Sequence, residues 1–393
     1  MITNQGEARL RNLARSVIFI YMEILSDPED LRREVRQFLR ERIDAGDFTP
    51  HCNSWMTRFD PDFSKALAAR GWLGLTWPTS YGGRGATPRH RLVVTEELLA
   101  HGAPIAAHWI ADRQMGPNLL AFGSEPLKRD LLPKIANGEA NFCIGMSEPD
   151  SGSDLASIRT RARAVDGGWV LDGTKVWTTG AHTAQYMMTL ARTRPAGDDR
   201  HAGLSQFVVD LATEGVSVTP IVSMDGAHHF NQVVLDDVFV PAERLAGTEG
   251  DGWRQVTAEL ALERSGPERY LSTVPLLRAW AASLGADDGD TDAHRDLGLL
   301  LARLWSLRAM SASIADSLAA GRSPEVEAAL VKDLGASFER DVIGVVRRHR
   351  RPGRDQRVDS LLTESVHDAP TFTLRGGTPE ILRGVVARSL GVR

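Results

Sequence analysis

FCIGMSEPDSGSDLAS, residues 142–157, is the stretch from which this chain is read. An apolar run ends in Ser147, Ser151, Gly152, Ser153 and Asp154, the pattern of a buried strand that runs into an exposed loop. Small residues let a ligand come close to the backbone. Ser hydroxyls and free N–H groups then bind oxygen-rich groups such as a pyrophosphate. Further on, KVWTTGA (175–181) sets a large aromatic between hydroxyl donors, which fits the wall of a site for a flat conjugated ring. Taken singly, the two stretches also read as a hairpin turn and a core Trp. No GxGxxG stands at a strand-to-helix junction, so a Rossmann cofactor site is not indicated.

Working outward, 393 residues allow two or three domains and a sizeable core. A hydrophobic share of 42% and a charged share of 25% are ordinary for a soluble globular protein. A net charge of −5 gives no support for nucleic-acid binding. Cys52 and Cys143 stand far apart and form no ligand spacing, which fits a reducing compartment, and a cytoplasmic location is expected. VIFIYMEIL (17–25) is too short to span a bilayer and contains Glu23. Arg9, Arg11 and Arg15 precede it as in a signal peptide, but no small-residue cleavage site follows clearly. It reads as an N-terminal extension over residues 1–22, with Met22 as an alternative start, and no membrane partner is expected.

Three regions follow. Residues 1–139 carry helical periods at 28–43, 62–69, 88–101, 115–122 and 125–137, with the turns GWLGLTWP (71–78) and YGGRG (81–85) between them. YGGRG lacks the Gly-Lys-Ser/Thr ending of a P-loop. Residues 140–242 alternate β-branched runs with turns, as in a small sandwich or barrel. Here His228-His229 has no third ligand in evident spacing, so no metal site is expected, and His229, Phe230 and Asn231 are read as setting the loop before the exit strand. Residues 243–393 return to the helical period at 253–264, 274–283, 294–320, 324–347 and 379–390. Thr378 is the expected N-cap of the last helix, with Pro379 at its first position. The stretches 286–292 and 347–357 read as charged connectors.

GMSEPDSGSD (145–154) fits, at every constrained position, a signature of small residue, aliphatic, Ser/Thr, Glu, two free positions, small residue, Gly, Ser/Thr, Asp. With KVWTTGA, the Trp77-Pro78 pair and the Tyr81-Gly82-Gly83 turn, it closely resembles the acyl-CoA dehydrogenase family, over nearly the whole chain after Met22. The resemblance implies an α+β fold with an N-terminal helical domain, a central β-barrel or sandwich and a C-terminal four-helix bundle. It implies FAD, an acyl-CoA substrate, and α,β-dehydrogenation in which a carboxylate takes the α-proton while flavin N5 takes the β-hydride. Carried over by residue, Ser147 contacts the flavin ring, Met146 presents backbone to it, and Ser153, beside Gly152, reaches the pyrophosphate. Trp177, Thr178 and Thr179 line the far face and edge of the ring. Gly376, Gly377, Thr378 and Glu380 form a further turn able to contact FAD, through Thr378 and the helix N-terminus. Glu148 and Asp154 are assigned to the loop's own hydrogen bonds.

The base departs from the commonest pattern. Most members place a Glu directly before a C-terminal Gly-Thr, where this chain has Gly376. Members acting on branched or long acyl groups instead carry the base on an earlier helix within Leu-Glu-Arg, and this chain has Leu262-Glu263-Arg264. Either Glu263 is the base, with Arg264 beside it and Gly376 leaving room for its side chain, or Glu263 is an ordinary helix carboxylate and the chain a catalytically silent subunit. The family's Arg-x-x-Phe for a neighbouring subunit's FAD and its later Gln motif are not clearly present. After Glu263 the chain reads SGPERY (265–270), in which Arg269 is in reach of a similar role. A homo- or hetero-oligomer, dimer or tetramer, is expected, with electron-transfer flavoprotein or a similar acceptor. Another flavin oxidation on this scaffold, of a carrier-protein-bound acyl group or a nitroalkane, is the remaining alternative.

Overall fold

The computed structural model describes residues 27–224, 226–264, 266–284 and 290–392, with backbone alone for 260–264. VIFIYMEIL and the extension at 1–22 lie outside the described residues, as does most of the connector at 286–292.

The N-terminal region is built from α1 (Pro28–Asp44), α2 (Ser54–Thr57), α3 (Pro61–Ala69), α4 (Pro88–Ala100), α5 (Ala106–Ile110), α6 (Gly116–Phe122) and α7 (Glu125–Ala136). A π-turn over Ala111–Met115 joins α5 to α6. The first helix shows why this sequence is helical. The Asp27 side chain accepts from the Glu29 N–H at 3.0 Å, Glu29 and Asp30 lie in the first turn and Arg42 in the last. Leu31, Val35, Phe38 and Leu39 share its buried face.

The central region is one sheet of β1 (Phe142–Gly145), β2 (Arg161–Val165), β3 (Gly168–Lys175), β4 (Tyr186–Arg192), β5 (Leu204–Asp210), β6 (Val216–Val222), β7 (His228–Pro241) and β8 (Leu245–Ala246), ordered β6-β7-β3-β2-β4-β5-β8. Most pairs are antiparallel. β1 runs parallel to β4, with Cys143 opposite Met187 and Gly145 opposite Thr189, and β2 meets β4 in parallel through Arg161 and Arg192. Gly145 is needed there, because a Cβ on it would come within 2.7 Å of Met187 Sδ and 3.2 Å of Lys175 Cγ. The segment His229–Asn231 belongs to β7 itself, not to a loop before it.

The C-terminal region comprises α8 (Gly252–Arg264), α9 (Val274–Ser283), α10 (Thr291–Ala319), α11 (Glu325–His349), α12 (Gln356–Leu374) and α13 (Pro379–Ser389). The 19-residue α12 has no counterpart among the expected helices. Its N-cap Asp355 accepts from the N–H groups of Arg357 and Val358, and Val358, Leu361, Leu362, Ser365 and Phe372 face inward. α13 starts as expected at Pro379, after Thr378 in extended geometry. By length and composition alone α10 could cross a bilayer, but its Leu300, Leu307 and Ile314 join the apolar core. That core is continuous from the N-terminal helices to the C-terminal ones, with Val35, Phe38 and Trp72 in one cluster with Leu276, Trp280 and Val342. The two helical regions therefore bury each other's apolar faces.

Candidate functional site

β1 delivers Met146 and Ser147 at its C-terminal end, and β3 delivers Lys175 beside them. The Val176 N–H donates to the Ser147 carbonyl at 2.9 Å, which brings the signature loop and KVWTTGA together. Lys175 is fully buried and holds the loop from inside, its Nζ donating to Met146 O at 3.1 Å and to Glu148 Oε1 at 2.8 Å. Glu148 also accepts from the backbone N–H of Arg159 at 2.6 Å and of Thr160 at 2.9 Å. Burial works against the Glu148 charge, yet Lys175 and these donors hold the carboxyl below its usual range. Burial pulls the Lys175 ammonium down to about 8 despite Glu148. Glu148 thus serves the loop, which Glu148 and Ser151 close through reciprocal backbone bonds of 2.7 and 3.0 Å. The Asp154 carbonyl accepts from Ser151 and Ser157 hydroxyls at 2.8 and 2.7 Å.

Trp177 stands in left-handed backbone geometry, φ 57°, and is 60% exposed. Phe230 meets it edge-on at 5.7 Å. Thr178 is buried and pairs with Asn231 through backbone bonds of 3.0 and 3.1 Å, while the Asn231 amide donates again to Thr178 O at 3.0 Å. Asn231 also accepts from His228 Nε2 at 2.7 Å and contacts His182 Nδ1 at 3.1 Å. The two His rings stack at 3.9 Å, and burial with neighbouring His228 lowers the His182 pKa. Among the described residues no group of His, Cys, Asp and Glu is arranged to hold a metal.

The second group surrounds the end of α8. Glu263 and Arg264 are its last residues by backbone, and their side chains lie outside the described residues. One turn earlier, Glu259 is buried and accepts from Gln206 of β5 at 3.3 Å and Asn118 of α6 at 3.5 Å. This residue was not singled out in the sequence; its spacing of four from Glu263 was the available signal. Beyond α8, Arg269 is enclosed by its own chain, at 1% exposure, with its guanidinium 5.4 Å from the Trp55 ring. Gly376 and Gly377 take φ of 68° and 101°, geometry that suits glycine. A Cβ on Gly376 would come within 3.1 Å of Arg269 Cζ and Nη1, so the guanidinium borders the space expected to stand open there. Arg375 anchors the turn, donating to Asn53 Oδ1 at 2.6 Å, Ser272 Oγ at 2.9 Å and the Glu339 carboxylate at 3.0 Å. Burial lowers the Arg375 pKa, with Glu339 opposing. The exposed Glu380 carboxylate takes hydrogen bonds from its own N–H and from Thr378, which lower its pKa, so the helix end already holds an anion.

The family model of the acyl-CoA dehydrogenase N-terminal domain matches residues 26–139, and that of the middle domain matches residues 143–238. Acyl-CoA dehydrogenase IpdE1 of Mycobacterium tuberculosis (strain ATCC 25618 / H37Rv) is 34% identical over 94% of this chain and 98% of its own. The chain belongs to the acyl-CoA dehydrogenase family. Acyl-CoA dehydrogenase FadE29 of the same organism is 31% identical, again over 94% of this chain and 98% of that one. Among solved structures, the Tcur3481–Tcur3483 steroid ACAD superposes with a TM-score of 0.82 at 28% identity, covering 93% of this chain and 97% of that chain. The ChsE4–ChsE5 complex from Mycobacterium tuberculosis gives 0.76 at 29%, covering 94% and 98%.

Acyl-CoA dehydrogenases are oxidoreductases and FAD flavoproteins that act generally on acyl-CoA thioesters. The residues present fit that cofactor. The hydroxyls of Ser147, Ser153 and Thr179 engage no partner among the described residues, and the Thr178 hydroxyl is buried without one. A Cβ on Gly152 would meet nothing within 4 Å, so the loop presents open backbone. Unengaged hydroxyls beside an exposed Trp and an open glycine are the donor set that a flavin and a pyrophosphate need.

Proposed function

We propose that this chain is an FAD-dependent acyl-CoA dehydrogenase that forms a 2-enoyl-CoA, with Glu263 as the base that removes the α-proton. The observation that carries the reading is the set of unengaged hydroxyls at Ser147, Ser153 and Thr179 around the exposed Trp177. In this reading Met146 offers backbone and Ser147 its hydroxyl to the ring, and Gly152 and Ser153 hold the pyrophosphate. Trp177, Thr178 and Thr179 wall the ring, and Gly376, Gly377 and Thr378 contact the cofactor from the C-terminal turn. Glu380 is assigned to fixing that turn, since its carboxylate is engaged at Thr378. When bound, FAD supplies the acceptor for the β-hydride.

The chain's residues do the rest. α8 brings Glu263 to the thioester's α-carbon, and Glu259 fixes the register of α8 against β5 and α6. Arg264, next to Glu263 in the Leu-Glu-Arg motif, is assigned to the catalytic group with it. Arg269 fills the position that a base at 376 would border. An electron-transfer flavoprotein or similar acceptor then reoxidises the enzyme.

Assembly with a second, different chain is the favoured quaternary reading. Arg269 is buried within its own chain, so a neighbour's FAD is left without this contact in the proposed assembly. α10 leaves Leu299, Leu301 and Trp305 exposed, Trp305 by 74%, on a helix of 29 residues. Such a face suits a subunit contact. The test is anaerobic flavin reduction by a panel of acyl-CoAs, with the chain alone and with a candidate partner. A yellow protein that no thioester bleaches contradicts the reading.

A further inference from the structure

A cavity of about 440 Å³ lies just past the end of α8. Gly266 and Pro267, the first described residues after Glu263 and Arg264, form one wall. Trp77, Leu92, Pro117 and Leu318 are among the apolar residues of the others. The volume lies in the roughly 300–1,000 Å³ range of sites that enclose a bulky organic ligand. Two arginines, Arg91 of α4 and Arg113 of the π-turn, also line it.

The two cations are treated differently by the protein. Arg113 donates to the Glu268 carboxylate at 3.1 Å and lies 5.6 Å over the Trp109 ring. Among the described residues Arg91 makes one hydrogen bond, a long one of 3.3 Å from Nη2 to the Arg113 carbonyl, and its buried Nε has no partner. No carboxylate among the described residues comes within ion-pair distance of Arg91. The acids that influence it are Asp112, whose Oδ1 accepts from the Gly74 N–H at 2.7 Å, and Glu268, which is engaged by Arg113. Burial and the adjacent Arg113 bring the Arg91 pKa down to about 10, so it stays a cation at neutral pH but one less stabilised than in water, which a bound anion would offset.

A desolvated guanidinium without a counter-charge is costly to maintain in an apolar cavity. Its planar fork matches a carboxylate in bidentate geometry. We propose that this cavity receives the acyl portion of the substrate and that Arg91 recognises a carboxylate at its far end, so the substrate class is a bulky acyl-CoA bearing a second, distal acid. The inference rests on the reading of Glu263 as the base, since α8 ends next to Gly266 and Pro267 of the cavity wall. Arg91 is a specificity-determining residue and takes no part in the proton or hydride transfer.

The test is calorimetric binding to the holoenzyme, with whichever partner chain it requires, of two product thioesters that cannot reduce flavin: 2-octenoyl-CoA and its ω-carboxylate counterpart, 2-octenedioyl-CoA. The proposal expects the dicarboxylate to bind at least about tenfold tighter, the equivalent of one charge-assisted contact. Arg91→Met should collapse the ratio to near one, and Arg91→Lys should retain part of it. Equal or weaker binding of the dicarboxylate overturns the proposal, as does a preference that survives in Arg91→Met. Should Arg91→Met fail to fold, the wild-type ratio and Arg91→Lys still decide. Flavin reduction by the saturated thioesters is read separately. Its absence with binding discrimination intact counts against the dehydrogenase reading alone, and its presence without discrimination counts against the distal acid alone.

Discussion

Arg269 lies against Gly376, so that a Cβ on the glycine would come within 3.1 Å of the guanidinium Cζ and Nη1. The residue before Gly377-Thr378 is thus a left-handed glycine bordered by a buried guanidinium. Gly376→Ala should destabilise the fold by about 1–2 kcal/mol from the φ of 68°. Contact with Arg269 adds to this. A thermal melt of the two proteins checks it, and an unchanged midpoint would show that the turn relaxes freely.

Glu148→Gln should cost about 3–5 kcal/mol, because it leaves the fully buried Lys175 ammonium without its counter-charge. The pH dependence has a definite sign. The folded pKa of Glu148 is depressed, so its contribution is complete above the unfolded value of about 4.3 and is lost as pH falls through the folded value. Denaturant midpoints should therefore fall more steeply below that pH in the wild type than in Glu148→Gln. Parallel curves would remove Glu148 as the acid-sensitive group.

Trp177→Ala should leave the stability of the cofactor-free protein within about 0.5 kcal/mol, since the ring is 60% exposed. Flavin occupancy should fall, by roughly tenfold in affinity for a lost aromatic contact. Flavin absorbance per protein after dialysis measures this. Full retention of flavin by the variant would place the ring elsewhere.

Glu259→Ala removes the acceptor for Gln206 Nε2, and a buried amide left unpaired costs about 1–3 kcal/mol, while Asn118 keeps its bond to Gln206 Oε1 at 3.2 Å. If Glu259 fixes the register of α8, kcat should also drop while thioester affinity holds. Steady-state kinetics separate the two effects. Unchanged kcat in a destabilised variant would limit Glu259 to a structural role.

Much of this was legible in the residues. GMSEPDSGSD and KVWTTGA (145–154 and 175–181) form one unit because alternation and turn chemistry are local signals, and the bond from Val176 to Ser147 unites them. Glu148 was correctly assigned to the loop. α12 was missed although Val358, Leu361, Leu362, Ser365 and Phe372 keep a helical period. Pro370 and scattered Thr and Asp residues mask it, and packing against α11 overrides their low propensity. His229, Phe230 and Asn231 read as loop because a polar pair opens the strand, whereas pairing with β6, Pro220 opposite Asn231 and Val222 opposite His228, extends β7 to His228. The Arg269–Gly376 contact joins residues distant in sequence, and no local pattern announces it.

The most direct test of the central claim is anaerobic reduction of the bound flavin by acyl-CoA in wild type and Glu263→Gln, at matched flavin occupancy. A general base typically contributes about 10²–10⁴-fold, so the account predicts rapid bleaching in the wild type and a loss of that order in the variant. Equal bleaching in both proteins would contradict Glu263 as the base.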